Sequence, residues 1–552
     1  MTNPVRIVPL GGLGEVGKNM MAIEYGDDVV VIDAGVMFPK EDMPGVDLVL
    51  PDTTYLVENE RRVRAILITH GHEDHTGALP YVLRDLHVPV YAPPLAHDLI
   101  QVKMREHPSV GRYELHEVDA GDTLTFGAIT AEYFRVCHSI PDSCGIALRT
   151  PAGLVVHSGD FKIDHTPVDG KPTDLQRLGE LGREGVLLLL SDSTYAEVEG
   201  YTQSEKLVGA ALDHAFADAP GRVLVATFAS LIARVQQIVD AAVKSGRKLG
   251  IAGRSMVNNV NMAVAKGYIK APAGTIVDLE QLAQLPHEQQ AIVVTGAQGE
   301  PLAVLARIAN RANREISIRD DDTVVISAST IPGNETVIAS VIDNLTRQGA
   351  RVLTHRNAPG VHVRGHASQE ELKLMLRLLK PKYFVPIHGE YRMLSAHADL
   401  ASAVGIEPEH IFVLEDGDVL EVEDGGAAVV EHVPAGHVYV DGLRLWDVRS
   451  AVLRDRRKLA REGFVVVVVP IDNATGELAG DPEIVTSGFI DVEESADLVD
   501  RATALVADAL RAPAKRPLDE ESIAQRVRGA LGGFLYEETG RRPMIVPLPF
   551  EV

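Results

Sequence analysis

The sequence predicts an α/β protein of several domains, in which one strand-rich domain is interrupted by a second α/β domain and followed by a small third one. Three features carry this reading. Short β-branched runs separated by glycine turns fill residues 5–192, helices and strands alternate from near Ser204, and glycine-histidine loops return around Gly360. A chain of 552 residues also exceeds what one hydrophobic core usually serves, so two to four domains are expected.

Taken in order, the first domain shows strand-like runs at residues 29–32, 65–69, 88–92, 129–136 and 154–157. Helical stretches at 205–217 and 231–245 then alternate with parallel-type strands at 223–226, 291–294 and 323–326, the pattern of a separate α/β layer. A helix at 369–379 and a strand at 383–387 ending in His388 mark the first domain resuming. A basic stretch follows near Arg454, then a strand at 464–469 and helices at 496–510 and 520–531. The expected division is 1–204 and 362–447 for the first domain, 205–361 for the insertion, a linker at 448–462, and a C-terminal domain at 463–552.

Composition narrows the class. Two cysteines, Cys137 and Cys144, cannot staple a chain of this length and suit a reducing compartment. The first 17 residues lack a basic stretch followed by an apolar run, and the longest apolar run, 465–469, is strand-length. The expectation is a cytoplasmic protein with no membrane span. A net charge of −25 opposes wholesale nucleic-acid binding, because phosphate contacts need positive charge. Bound cations and a few arginines in a groove can nevertheless draw a polyanion to an acidic body.

The strongest chemical signal is His70-Gly71-His72-Glu73-Asp74-His75, directly after an apolar strand. Residues two apart on an extended segment project alike, so His70 and His72 can reach one cation, while the turn at Asp74 and His75 presents ligands to a second. Imidazole and carboxylate suit zinc or manganese. Further ligands belong at other strand ends, where His138 and Asp160 stand.

The ordered series Asp33, His70 to His75, His138, Asp160 and His388 resembles the motifs of the metallo-β-lactamase superfamily. The long insertion between Asp160 and His388, flanked by Asp192 and His366, resembles its β-CASP branch of nucleic-acid nucleases. Within that branch the blocks Gly11-Gly12-Leu13-Gly14-Glu15-Val16-Gly17-Lys18-Asn19, Asp33-Ala34-Gly35-Val36-Met37-Phe38-Pro39, Ser191-Asp192-Ser193-Thr194 and Pro386-Ile387-His388-Gly389-Glu390-Tyr391 are similar to those of bacterial ribonuclease J. The resemblance implies an αββα sandwich with an inserted β-CASP domain and a small α/β C-terminal domain. It implies two divalent metal ions, one held by His70, His72 and His138 and one by Asp74, His75 and His388. Asp160 would bridge them, and Asp33 would orient ligands.

The expected activity is hydrolysis of single-stranded RNA, 5′-to-3′ from a 5′-monophosphate end, with a mainly endonucleolytic enzyme as the alternative. His366, oriented by Asp192, is the candidate general acid. Ser230, Ser327, Ser329, His362, Val363, Arg364, Gly365 and His366 are the candidate phosphate-binding residues: Ser230 after a strand expected at 227–229, Ser327 and Ser329 after the strand at 323–326, and the rest at the return to the first domain. Arg364 stands where the family pattern has a small hydroxyl residue. The resemblance also implies a homodimer through the C-terminal domain and, as further candidates, partners in RNA decay. Asp47 and Asp441 are loop carboxylates suited to a structural cation. The basic cluster 454–461 reads equally as an RNA contact or as a solvated helix face paired with acids. Two other classes stand against this reading: a small-molecule hydrolase, which a long insertion disfavours, and a non-catalytic RNA-binding scaffold, which a full set of ligand-type residues disfavours.

Overall fold

The structure is a computed structural model and describes residues 3–40, 42–296, 303–328, 335–442, 444–446, 450–472, 475, 477–491, 495–512 and 520–552. Its chain forms two compact units, Met1–Phe38 with Val49–His437, and Pro39–Leu48 with Val438–Val552.

The first unit is built on two sheets. One has eight strands in the order 426–432, 418–423, 5–11, 20–25, 28–32, 63–67, 90–92 and 115–117; the other has six, in the order 383–387, 186–192, 153–157, 144–150, 129–135 and 123–126. Side chains alternate across a strand, and the inward set of each sheet meets the other. Ile7, Ile23, Val30, Ile32 and Leu67 pack with Tyr133, Ile146, Leu148, Val155, Leu188 and Val385, almost all fully buried. The outward set of the six-stranded sheet, including Phe134, Val156, Leu189 and Phe384, packs under Leu178 and Leu181 of the helix Leu175–Glu184 and Leu372, Met375 and Leu376 of Gln369–Leu379. Gln369–Leu379 starts at a capping box between Ser368 and Glu371, which fixes where the chain leaves the loop carrying His366. This is the expected αββα sandwich.

Strand direction decides where chemistry can gather. Strands 153–157, 186–192 and 383–387 run parallel, and 129–135 shares their direction because both it and 153–157 are antiparallel to 144–150. In the other sheet 28–32 and 63–67 are also parallel. At the last residue of these strands or shortly after it stand Asp33, the His70 to His75 segment, His138, Asp160, Asp192 and His388. One edge of the sandwich therefore collects every motif in turn.

The inserted domain is a five-stranded, wholly parallel sheet in the order 248–252, 290–294, 223–226, 323–326 and 351–353. Both faces are covered, which is why its strands read as unbroken apolar runs. Val223, Val225, Val293 and Val325 face Val235, Ile238 and Val239 of the helix Ile232–Lys244. Leu224, Ile292, Val294 and Val324 face Leu305, Ile308, Val341 and Leu345. The strand before Ser230 ends at Ala226, so Thr227 to Ala229 form a loop rather than the strand expected from their sequence.

In the second unit the strand Phe464–Ile471 is central, antiparallel to Glu483–Ser487 and parallel to Met544–Glu551. Val465, Val467 and Val469 pack under Val506, Leu510, Val527 and Leu531 of the helices Ala496–Arg511 and Glu520–Thr539. The segment expected as a linker contains the helix Ser450–Glu462. Two of its arginines are paired as a solvated face would be: Arg456 with Asp441, and Arg457 with Asp42 at 2.6 Å.

One glycine is fixed by contact. A Cβ on Gly35 would lie 1.6 Å from the Asp74 carbonyl oxygen and 2.8 Å from the His75 amide nitrogen. Gly179, within the helix Leu175–Glu184, has open space around it. Gly35→Ala should therefore lower the urea midpoint by the equivalent of ~1–3 kcal/mol or more, whereas Gly179→Ala should raise it by roughly 0.5–1 kcal/mol. Equal midpoints for the two variants would contradict this close approach.

Candidate metal centre and active site

Backbone strain marks the rim. Asp33 and His388 both hold left-handed backbone, at φ 62° and 54°, which non-glycine residues adopt only where surroundings impose it. For Asp33 the surroundings are visible: Oδ1 accepts from the Thr69 amide at 2.8 Å, and Oδ2 accepts from the Thr69 hydroxyl and faces His75 Nδ1, each at 2.8 Å.

The strand ends converge into two adjoining groups that could hold metal ions. His70, His72 and His138 form one, and Asp74, His75, Asp160 and His388 the other, with each group's ligand atoms within 4.8 Å of one another. His70 Nε2 and His138 Nε2 lie 3.0 and 3.2 Å from His72 Nδ1. Asp160 Oδ2 lies 3.1 Å from His75 Nε2, 3.7 Å from His70 Nε2 and 3.9 Å from His138 Nε2. Asp160 Oδ1 lies 3.5 Å from His388 Nδ1. One carboxylate thus faces both groups.

The outer nitrogens are engaged from behind, which fixes the orientation of each ring. His138 Nδ1 donates to the Gly365 carbonyl at 2.9 Å, His75 Nδ1 to Asp33, and His388 Nδ1 lies 2.9 Å from Thr194 Oγ1 and 3.3 Å from Asp192 Oδ1. Thr69 Oγ1, which donates to Asp33, lies 3.0 Å from His70 Nδ1. The Nε2 atoms of His70, His75, His138 and His388 are left for the centre.

Electrostatics separates the two groups. Burial, reinforced by neighbouring histidines, pushes His70 and His138 well below the ordinary imidazole range, and burial takes His72 down to about 4. These three rings are neutral, with lone pairs available. Burial also opposes charge on His75 and His388, but facing carboxylates outweigh it. Asp160, Asp74 and Asp33 hold His75 well above its usual range, and Asp160 with Asp192 and Asp74 raises His388 to about 10. Burial likewise disfavours the ionised forms of Asp74, Asp160 and Asp192, yet the histidines facing them hold all three low. Neutral imidazoles beside ionised carboxylates, closely packed and buried, are a donor set that fits zinc-class cations.

His366 sits on the rim, with Nδ1 2.8 Å from Asp192 Oδ2 and its ring stacked on His388 at 5.3 Å. Asp192 therefore contacts both His366 and His388. His366 also joins Asp160, Asp192 and His388 in a third cluster of ligand-type atoms.

The residues expected to bind a terminal phosphate are divided. Both ring nitrogens of His362 are buried without a hydrogen-bond partner among the described residues, and burial followed by the nearby Arg234 charge holds its pKa well below the imidazole range. Ser230 is half-buried in the turn before the helix Ile232–Lys244. Ser327 is fully buried, and its hydroxyl donates to the Val361 carbonyl at 2.6 Å while receiving Arg234, so it is engaged within the fold. Val363 packs in the core of the inserted domain. The exposed Arg364 places its guanidinium over the Tyr195 ring at 5.0 Å, and the Gly365 carbonyl supports His138. Ser329 lies outside the described residues.

Asp47 accepts from the Gly442 amide at 2.7 Å and Asp441 pairs with Arg456; neither joins a cluster of ligand-type residues among those described. Cys137 and Cys144 are buried free thiols, both pushed up to about 12 by burial. Sequence reasoning missed Asn19, whose Nδ2 lies 3.0 Å from the Asp74 carbonyl oxygen and 3.2 Å from His75 Nε2. Its place at the end of the glycine-rich block was the available signal. Lys162, Thr194, Thr202, Glu205 and Arg234 were missed as well, because no local spacing announces a buried hydrogen-bond partner.

Comparison with known proteins agrees with this geometry along the chain. Residues 13–196 match the metallo-beta-lactamase superfamily, 220–345 the ribonuclease J beta-CASP domain, 358–413 the Zn-dependent metallo-hydrolase RNA specificity domain, and 451–552 the ribonuclease J C-terminal domain. Ribonuclease J 1 of Streptococcus pyogenes is 44% identical over 99% of this chain and 97% of its own. Ribonuclease J2 of Bacillus subtilis is 42% identical over 100% and 99%. A crystal structure of a protein of unknown function from Enterococcus faecalis shares the fold, with a TM-score of 0.55 at 16% identity over 76% of this chain and 100% of that one. Carrying all four matched segments in order, and aligned with such relatives from end to end, the chain belongs to the ribonuclease J family of metallo-β-lactamase-fold proteins.

Proposed function

We propose that the chain is a metal-dependent ribonuclease that uses two divalent cations, zinc or manganese, to hydrolyse single-stranded RNA from a 5′-monophosphate end. The observation that carries this is one buried carboxylate, Asp160, facing two adjoining donor groups with the His366–Asp192 pair beside them. His70, His72 and His138 would hold one cation and Asp74, His75 and His388 the other, with Asp160 within reach of both groups. When bound, such a pair polarises the scissile phosphate and lowers the pKa of a water to near neutrality.

The remaining work falls to side chains. Asp192 accepts from His366 Nδ1, which leaves Nε2 to give its proton to the departing 3′ oxygen. The products of that step are a 3′-hydroxyl and a 5′-phosphate. His362, whose two ring nitrogens have no hydrogen-bond partner among the described residues, and Ser230 are the residues we assign to the phosphate site. Ser327 acts instead by holding the turn before His362. Because Ser327 is occupied and Arg364 turns toward Tyr195, a mainly endonucleolytic enzyme is the second reading.

No helix among the described residues is long and apolar enough to cross a membrane; the proposed place of action is the cytoplasm, with other RNA-decay proteins as candidate partners. Self-association is assigned to the C-terminal domain. The sheet face opposite its helices carries Val485, Leu548 and Phe550, each about half exposed at 48–50%, and such faces commonly meet a second copy.

Elemental analysis should find about two transition-metal ions per chain, and exhaustive chelation should abolish RNA cleavage; full activity after chelation would refute the mechanism. His366→Ala should slow single-turnover cleavage by about 10² to 10⁴ while metal content and RNA affinity persist. One RNA carrying 5′-monophosphate, triphosphate or hydroxyl ends should release 5′ mononucleotides fastest from the monophosphate. Equal rates from all three would put endonuclease action first. Truncation near Arg461 should reduce the mass measured by light scattering to that of a monomer, and an unchanged oligomer would remove the role given to the C-terminal domain.

A further inference from the structure

We propose that Lys162 is a positioning residue for cleavage: by clamping the two places where the chain passes between the sandwich and the inserted domain, it holds His366 in register with Asp160. The inference rests on the reading of His366 as general acid.

Lys162 follows Asp160 by two residues and its side chain has no exposed surface. Its ammonium donates to the Gln203 carbonyl at 3.2 Å, where the chain leaves the sandwich, and to the Arg364 carbonyl at 3.2 Å, where it returns. Asp164 Oδ2 and Glu205 Oε1 lie farther off, at 3.9 and 3.7 Å, close enough to balance the charge but not to compete for its hydrogen bonds. Lys162 is itself fixed, since its amide donates to the Cys137 carbonyl at 2.7 Å and its carbonyl accepts from Thr173 Oγ1 at 2.8 Å.

Three consecutive carbonyls of the returning chain are tied to the sandwich. Arg364 is held by Lys162, Gly365 by His138 Nδ1 at 2.9 Å, and His366 by Thr202 Oγ1 at 2.7 Å. Two of these anchors, His138 and Lys162, come from loops that supply the centre. A buried ammonium placed between the outgoing and returning strands makes their separation depend on the Asp160 loop. Displacement of a reacting group by about 1 Å costs as much as 10²-fold in rate. Loss of Lys162 should therefore show in proton delivery rather than in metal or RNA binding.

A substrate that needs no proton separates these possibilities. The leaving group of bis(4-nitrophenyl) phosphate departs as a stable phenolate, whereas the 3′ oxygen of RNA requires protonation. In the full-length, metal-loaded protein, Lys162→Met should lower the single-turnover rate on RNA by about 10- to 100-fold. Metal content and RNA Kd should stay near the parent values, and hydrolysis of the nitrophenyl ester should change less than about 3-fold. Lys162→Met/Asp164→Asn also removes the buried carboxylate whose one ion-pair partner among the described residues is Lys162, and should show the same split if the single variant folds poorly. Equal losses on both substrates at parent metal content would overturn the proposal. His366→Ala is the control. If it slows both substrates alike, the reading of His366 fails and takes the inference with it; if it discriminates and the Lys162 variants do not, the inference alone is wrong.

Discussion

The centre is organised around the buried carboxylate of Asp160. At 3% exposure an isolated ionised carboxylate is costly by several kcal/mol even after relaxation, so the fold must bring opposite charge to it. His75 and His388 stand within 3.1 and 3.5 Å, and both are held protonated by the carboxylates they face. Two divalent cations would do the same task with more charge. Such a site would be compensated without metal and receptive to it, because an imidazole that carries a proton can become a ligand when it loses that proton.

That arrangement depends on the sheets. Five strands of the first unit end at one edge with Asp33, His138, Asp160, Asp192 or His388 at or just past their last residue, and the His70 to His75 turn follows a sixth. None of these residues could compensate another without the parallel pairing of 153–157, 186–192 and 383–387 and the shared direction of 129–135. The apolar interface of Ile7, Val30, Tyr133 and Val155 holds the two edges together. It lets a set of strained, charged loops persist at a cost the core offsets.

The first residues to be legible in the sequence were those whose chemistry has a local pattern. The His70 to His75 block shows ligand-type residues at fixed spacing, and the apolar runs at 223–226 and 323–326 announced strands that the fold places beside each other. Residues whose part is set by distant contact were not legible. Lys162 looks like an ordinary surface lysine until it is found fully buried between Gln203 and Arg364. Ser327 follows a parallel strand, as an anion-binding serine would, yet its hydroxyl is taken by Val361 and Arg234. The strand Gly426–His432, at the edge of the eight-stranded sheet, was missed because its exposed valines lack the alternation of a half-buried strand. The helix at Ser450–Glu462 was legible only in part: its basic cluster read equally as an RNA contact or as a solvated helix face paired with acids, and the partner Asp42 that favours the second reading lies far away in the sequence.

The position of the insertion follows from the same geometry. Strands 186–192 and 383–387 are parallel neighbours, pairing Leu188 with Tyr383 through Asp192 with Ile387. Parallel neighbours must be joined by a crossover in any case, and the cost of closing a loop grows only slowly with its length. Replacing a short crossover with a whole domain thus disturbs the sandwich little, provided that the outgoing and returning chains are secured where they pass. Thr202 secures one to the other through the His366 carbonyl and Ser368, at 2.7 and 2.9 Å. Because the crossover begins just after Asp192 and returns through His366, both ends of the insertion lie at the edge where the ligand-type residues gather, so a whole domain is added there without displacing the strand ends that carry them.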